Sequence, residues 1–191
     1  VQTTSFITIL GSAGVAIGLS LQGSLSNFAG GILILILKPF VVGDYVSACG
    51  CEGTVAVISL FYTTLHTVDN RNVVLPNGSL SNSNITNYSA NEIRRVDMSV
   101  DVGYGSDLKK AREVIMDILN QDERILKDPA PIVAVDNLGD SGVNVLIRPW
   151  VKCEDYWAVK WSVLEAVHNR LNAEQIDIPF PQMTVHLDQN S

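Results

Sequence analysis

The first 37 residues carry no Asp, Glu, Lys, Arg or His, and the first charged side chain is Lys38. Apolar and small residues fill this stretch, with a few Ser, Thr, Gln and Asn among them. Such a run is long enough to cross a bilayer as a helix, because a hydrocarbon core of about 30 Å needs roughly 20 residues at ~1.5 Å each. A straight helix over all of it would reach roughly 55 Å, so the pattern predicts a bend or a break. Gln22-Gly23-Ser24 interrupts the apolar run after about one bilayer length, which makes Gly23 the expected kink. Residues 25–37 are then expected as a second, partly interfacial helix stopped by Lys38-Pro39, with Lys38 at a cytoplasmic boundary under the positive-inside rule.

After Pro39 the period changes. Residues 44–46, 53–58, 63–67 and 72–75 are rich in β-branched side chains and predict short strands, punctuated by Gly43, Gly50, Asp69-Asn70 and Pro76-Asn77-Gly78 as turns. Together they predict a small antiparallel, β-barrel-like domain. Beyond residue 91, a strand over 96–102 precedes Ser106-Asp107, which supplies capping chemistry for a helix to about Asn120. Strands over 132–137 and 143–151 flank Gly139-Asp140-Ser141-Gly142 as a hairpin, followed by a helix over 156–173 and a closing strand over 183–187. The order β-α-β-β-α-β predicts an α+β, ferredoxin-like domain. The chain thus divides into an apolar segment at 1–39, a β domain at 40–91 and an α/β domain at 92–191.

Charge narrows the possible partners. Thirteen Lys and Arg against twenty Asp and Glu leave a net charge of −7, which argues against nucleic acid as a partner, since phosphate binding needs a basic surface. No basic n-region or small-residue cleavage site marks the apolar segment as a secretory signal. Cys49, Cys51 and Cys153 are an odd number, and a bridge across Cys49-Gly50-Cys51 is badly strained, so free thiols in a reducing compartment are expected. No second Cys pair or neighbouring His completes a metal site, and His66, His168 and His186 lack metal spacing. Arg94 and Arg95 point to opposite faces of a strand, while Trp150, Trp157 and Trp161 read as core. No nucleophile, base and orienting group stand together, so no enzyme activity and no cofactor are expected.

The apolar segment has internal order. At ~100° per residue, Gly11, Gly14 and Gly18 share one stripe, and Ser12, Ala16 and Ser20 share another about 120° to 160° round the helix. Val15 and Leu19 project between these stripes, one turn apart, and Leu10, Ile17 and Leu21 form a bulky face behind. Because the two small stripes are unlike, the Gly face of one copy can meet the Ser/Ala face of the next, a heterologous contact that makes a ring if its rotation closes. Val15 and Leu19 would then face the axis as an apolar constriction. Ordinary packing of a transmembrane helix against its neighbours also uses small residues, and the pattern alone leaves both open.

The segment from Gly11 to Asn27, then Lys38-Pro39-Phe40-Val41-Val42-Gly43-Asp44, resembles the pore helix and exit of the small-conductance mechanosensitive (MscS) channel family. Glu52-Gly53-Thr54-Val55, Val74-Leu75-Pro76-Asn77-Gly78, Tyr104-Gly105-Ser106-Asp107 and Phe180-Pro181-Gln182-Met183 match further family segments in order. The resemblance implies a homoheptamer in the bacterial plasma (inner) membrane, with the domains after the pore helix forming a hollow cytoplasmic vestibule. It implies opening by membrane tension, contact with membrane lipids, and passage of ions and small osmolytes to relieve hypo-osmotic shock. By position it assigns Val15 and Leu19 to the pore gate, Gly11, Ser12, Gly14, Ala16, Gly18 and Ser20 to pore-helix packing, and Gly23 to the kink. Val15 departs from the family's usual Leu at the first ring. Two further membrane helices ahead of Val1 are implied for the full-length protein. The other function class is a membrane-tethered regulatory module with an effector-binding ferredoxin-like domain, which has no need of two small stripes beside a common apolar edge.

Overall fold

The computed structural model describes residues 2–185, with side chains from Ser5 onward, and divides into two compact units, Val1–Ala90 and Asn91–Ser191. The first unit opens with α1 (Gln2–Leu37), a single helix of 36 residues. The expected break at Gln22-Gly23-Ser24 is absent, and what was expected as a second helix is the end of α1. Glycine lowers helix propensity by only about 1 kcal/mol relative to Ala, less than packing of the following turns supplies. Those turns bury Gly30, Gly31 and Ile34, whereas the helix from Ser5 to Ser26 is exposed along its length. Lys38, at φ 47°, ends the helix with its N–H on Ile34 O at 2.9 Å, and Pro39 cannot continue it.

Strands β1 (Tyr45–Ala48), β2 (Cys51–Ile58), β3 (Tyr62–His66), β4 (Asn72–Pro76) and β5 (Ile85–Asn87) form one antiparallel sheet in the order β4-β3-β2-β1-β5. Cys49 and Gly50 make the two-residue turn between β1 and β2, with φ of 51° and 74°, the left-handed pair that a tight hairpin requires. The sheet is open, because β4 and β5 do not pair with one another, and this corrects the barrel-like expectation. Pro76 ends β4 and the chain turns at once into α2 (Asn77–Ser81), where the sequence predicts only a turn, while three-residue β5 is too short to close a barrel. The core gathers Ile34, Phe40, Val46, Val55, Leu65, Leu75 and Leu80, so the end of α1 belongs to the same core as the sheet.

In the second unit, β6 (Ile93–Arg95) and β7 (Met98–Val102) lead to α3 (Leu108–Gln121), whose cap Asp107 accepts from the N–H groups of Lys109 and Lys110 at 2.9 and 3.1 Å. Next come β8 (Ile132–Leu138), β9 (Val143–Arg148), β10 (Trp150–Lys152) and α4 (Tyr156–Ala173). Strand β9 lies between β7 and β8 and is antiparallel to both, which is the split βαβ arrangement. The strand expected over 143–151 is two strands, since Pro149 lacks the ladder N–H and β10 leaves to pair with β6. Of the closing strand expected over 183–187, residues 183–185 form no strand, and His186 and Leu187 lie outside the described residues.

The tryptophans correct another expectation. Trp157 and Trp161 are 50% and 64% exposed and Trp150 is half-buried, because the buried stripe of α4 is Val159, Val163, Val167 and Leu171. Trp157 and Trp161 instead pack on each other with ring centroids 5.7 Å apart.

Candidate functional site

All nine residues assigned to gate, helix packing and kink fall on α1, eight of them within two to three turns. Val15 and Leu19 are 63% and 66% exposed, and Leu10, Ile17 and Leu21 on the opposite face are exposed as well. A Cβ built at Gly11, Gly14, Gly18 or Gly23 meets nothing within 4 Å, so the glycine stripe is open in the protomer. The hydroxyls of the second stripe turn inward: Ser12 Oγ donates to Ile9 O at 2.9 Å, and Ser20 Oγ to Ala16 O at 2.8 Å. With its polar atoms bonded to the helix's own backbone, this stripe presents small, nearly apolar bulk. The stretch Ser5–Leu37 is long and apolar enough to cross a membrane.

Below this exposed stretch the helix is fastened to the β domain at a junction that the sequence analysis does not identify. Asn27 Oδ1 accepts from Gly78 N at 2.9 Å. Next to Gly78, fully buried Asn77 takes Thr63 Oγ1 on its Oδ1 at 2.8 Å and donates from Nδ2 to Ser59 O at 2.7 Å, while its own N–H reaches Phe61 O at 2.9 Å. A Cβ at Gly30 would stand 2.5 Å from Asn77 O, and one at Gly31 would strike Leu60 O. Only glycine lets the helix backbone come this close. The available signals were Asn27 late in an uncharged helix and the adjacent Gly30-Gly31 pair.

A second fastening holds the exit of the helix. Asp44 Oδ2 accepts from Val41 N at 2.9 Å and from Asn87 Nδ2 at 2.8 Å, and the same Asn87 Nδ2 donates to Pro39 O at 3.2 Å. Gly43 N and Asp44 O bond Val55 on β2, both at 2.8 Å.

In the first unit, hydrogen bonds from Thr67 and Arg71 hold the Asp69 carboxyl below the usual carboxylate range, and the other displaced ionisations lie in the second unit. Hydrogen bonds from Arg124 hold the Asp122 carboxyl below the usual carboxylate range, with contacts of 2.8 and 2.6 Å. Lys110, 2.8 Å away, does the same to Glu174. Burial pushes the Cys153 thiol up, partly offset by Arg94. Arg94 and Arg95 diverge as expected of neighbours on a strand: Arg94 lies over the Tyr156 ring at 4.0 Å, and Arg95 pairs with Asp97 at 2.7 Å. All three cysteines are free, and no cluster of three or more His, Cys, Asp and Glu suited to a metal occurs among the described residues.

Comparison with known proteins bears on both units. Residues 23–90 match the model of the mechanosensitive ion channel β-domain, and residues 96–178 match that of the mechanosensitive ion channel MscS C-terminal domain. An uncharacterised MscS family protein of Synechocystis is 43% identical over 189 residues, covering 99% of this chain and 64% of the relative. The small-conductance mechanosensitive channel of Helicobacter pylori is 40% identical over 186 residues, covering 97% of this chain and 68% of the relative. The crystal structure of Helicobacter pylori MscS in its closed state superposes with a TM-score of 0.93 at 39% identity, over 100% of this chain and 76% of that one. The chain therefore spans about two thirds of the length of such relatives.

Proposed function

Because this chain belongs to the MscS family of mechanosensitive channels, we propose that it is the pore-lining part of a channel subunit opened by membrane tension. The observation that carries this reading is the exposed stretch of α1: two unlike small-residue stripes, free of contact within the protomer, flank the apolar edge of Val15 and Leu19. Copies joined Gly stripe to Ser/Ala stripe close into a ring, a homoheptamer as in the family, and turn that edge toward the axis. Val15 and Leu19 then form stacked apolar rings about 6 Å apart, four residues at ~1.5 Å each. Water in so narrow an apolar neck lacks hydrogen-bonding partners, and the neck empties and blocks ions.

Membrane tension favours the state of larger in-plane area. Widening the rings wets them and passes ions and small osmolytes, so the channel relieves hypo-osmotic shock across the bacterial inner membrane. The β domain after α1 and the second unit lie on the cytoplasmic side, with Lys38 at the boundary. Gly23, with open space around it in the protomer, leaves the helix free to bend there as the pore changes state. The test is patch recording of the full-length protein together with its mass in detergent. Tension-activated currents and a closed oligomer are expected. Silence up to lytic tension with protein verified in the membrane, or a stable monomer, contradicts the reading.

A further inference from the structure

The exit of α1 is tied to the last strand of its own unit through one carboxamide. Asn87 is the final residue of β5, an edge strand held to β1 by only three register pairs, Val46 with Asn87, Ser47 with Thr86 and Ala48 with Ile85. Its Nδ2 reaches two groups just past the helix, Pro39 O at 3.2 Å and Asp44 Oδ2 at 2.8 Å, while its Oδ1 accepts from Ser89 N at 2.9 Å. Asp44 folds the exit loop by accepting from Val41 N on the same oxygen at 2.9 Å. Backbone bonds extend the tie, with Tyr45 N on Ser89 Oγ at 3.0 Å and Tyr88 N on Tyr45 O at 2.9 Å. The first unit ends at Ala90, three residues beyond Asn87, where the chain passes to the second unit.

Besides the packing of Gly30, Gly31 and Ile34, side-chain hydrogen bonds thus hold α1 and its exit at two points. One is Asn27 on Gly78; the other is Pro39, twelve residues or about 18 Å further along at ~1.5 Å per residue. A stiff rod pinned twice cannot turn or tilt against the sheet without releasing one pin. The Asn27 pin sits among the buried residues Gly30, Gly31, Asn77 and Gly78, whereas Asp44 and Asn87 are half-buried with water at hand to replace their bonds. The exit pin is the one that yields.

We infer that Asp44 and Asn87 are positioning residues for gating: their hydrogen bond clamps the exit of the pore helix to the strand that leads into the second unit, and its release accompanies opening. The inference rests on the channel reading above. Since this conformation matches a closed-state structure, weakening the clamp shifts the population away from the closed state.

The experiment is patch recording of full-length wild type, Asp44→Ala, Asn87→Ala and the double variant, measuring half-opening tension and unitary conductance. Each single variant is expected to open at lower tension with conductance unchanged, and the double variant to shift by less than the sum of the two single shifts, since the Asp44–Asn87 bond is common to both. Asp44→Asn keeps the shape and an acceptor but loses the charge, so it gives a smaller shift of the same sign and serves if the alanine variants do not reach the membrane. Unchanged tension in these variants, or additive shifts in the double, overturns the clamp while leaving a tension-gated wild type intact. A silent wild type instead defeats the channel reading, and the clamp with it.

Discussion

The backbone N–H of Gly78 donates to Asn27 Oδ1 across 2.9 Å, joining positions 51 residues apart in the chain. It is a polar contact that ties α1 to the β domain, and Gly30, Gly31, Asn77 and Ser26 lie around it. Removing the acceptor leaves a buried donor without a partner, which costs about 1–3 kcal/mol. Asn27→Ala is expected to lower the unfolding temperature of the full-length protein in detergent, whereas Asn27→Asp, which keeps an acceptor oxygen, lowers it less. Equal losses in the two variants would show that the bond carries no weight.

The glycines of α1 separate into two kinds. Gly31→Ala drives a Cβ into Leu60 O and to 2.7 Å from Asn77 Nδ2, overpacking of the sort that costs about 1–3 kcal/mol, so the protein should melt earlier. Gly14→Ala meets nothing within the protomer and is expected to leave that melt unchanged while weakening the oligomer, as judged by mass in detergent. An oligomer indifferent to Gly14→Ala argues against the glycine stripe as a contact between copies.

Thr63 and Asn77 are the two wholly buried polar side chains among the described residues, bonded to one another at 2.8 Å. Thr63→Val keeps the shape and strands Asn77 Oδ1. A loss of about 1–3 kcal/mol by denaturant titration is expected. A loss under half of that lower bound would mean that Asn77 finds another donor.

Asp122 gives the pH dependence a sign. Its carboxyl is held below the ordinary carboxylate range by Arg124, so the stabilisation is present above an unfolded value of about 3.9 and is lost as pH falls through the lower folded value. Wild type should therefore lose melting temperature below about pH 4 more steeply than Asp122→Asn, measured by calorimetry on the full-length protein. Parallel curves for the two proteins would remove Asp122 from the account.

Local signals carried most of the elements and few of the joints. The helix at Tyr156–Ala173 and the cap at Asp107 follow from nearest-neighbour chemistry, and both stand where the pattern put them. Three-residue strands such as β5 and β6 offer too few positions for a period to emerge, and Pro149 divides what looks like one strand. The exposed Trp157 and Trp161 share a helix face as the spacing says, but spacing does not say which face is inside. The Asn27 and Asn87 junctions rest on partners 51, 43 and 48 residues away and have no local signature. For the same reason the unbroken course of α1 through Gly23 was hidden, since the contacts that hold its last turns lie in the β domain.

The central claim is that Val15 and Leu19 are the apolar rings that close the pore. Patch recordings of Val15→Ser, Leu19→Ser and Leu19→Ala in the full-length protein test it most directly, because serine supplies a hydroxyl that holds water while alanine changes width alone. The serine variants are expected to open at lower tension or leak at rest, beyond any change seen with Leu19→Ala. Opening tension and resting leak unchanged in both serine variants, in channels shown to assemble, would place the constriction elsewhere and contradict the assignment of this edge to the pore axis.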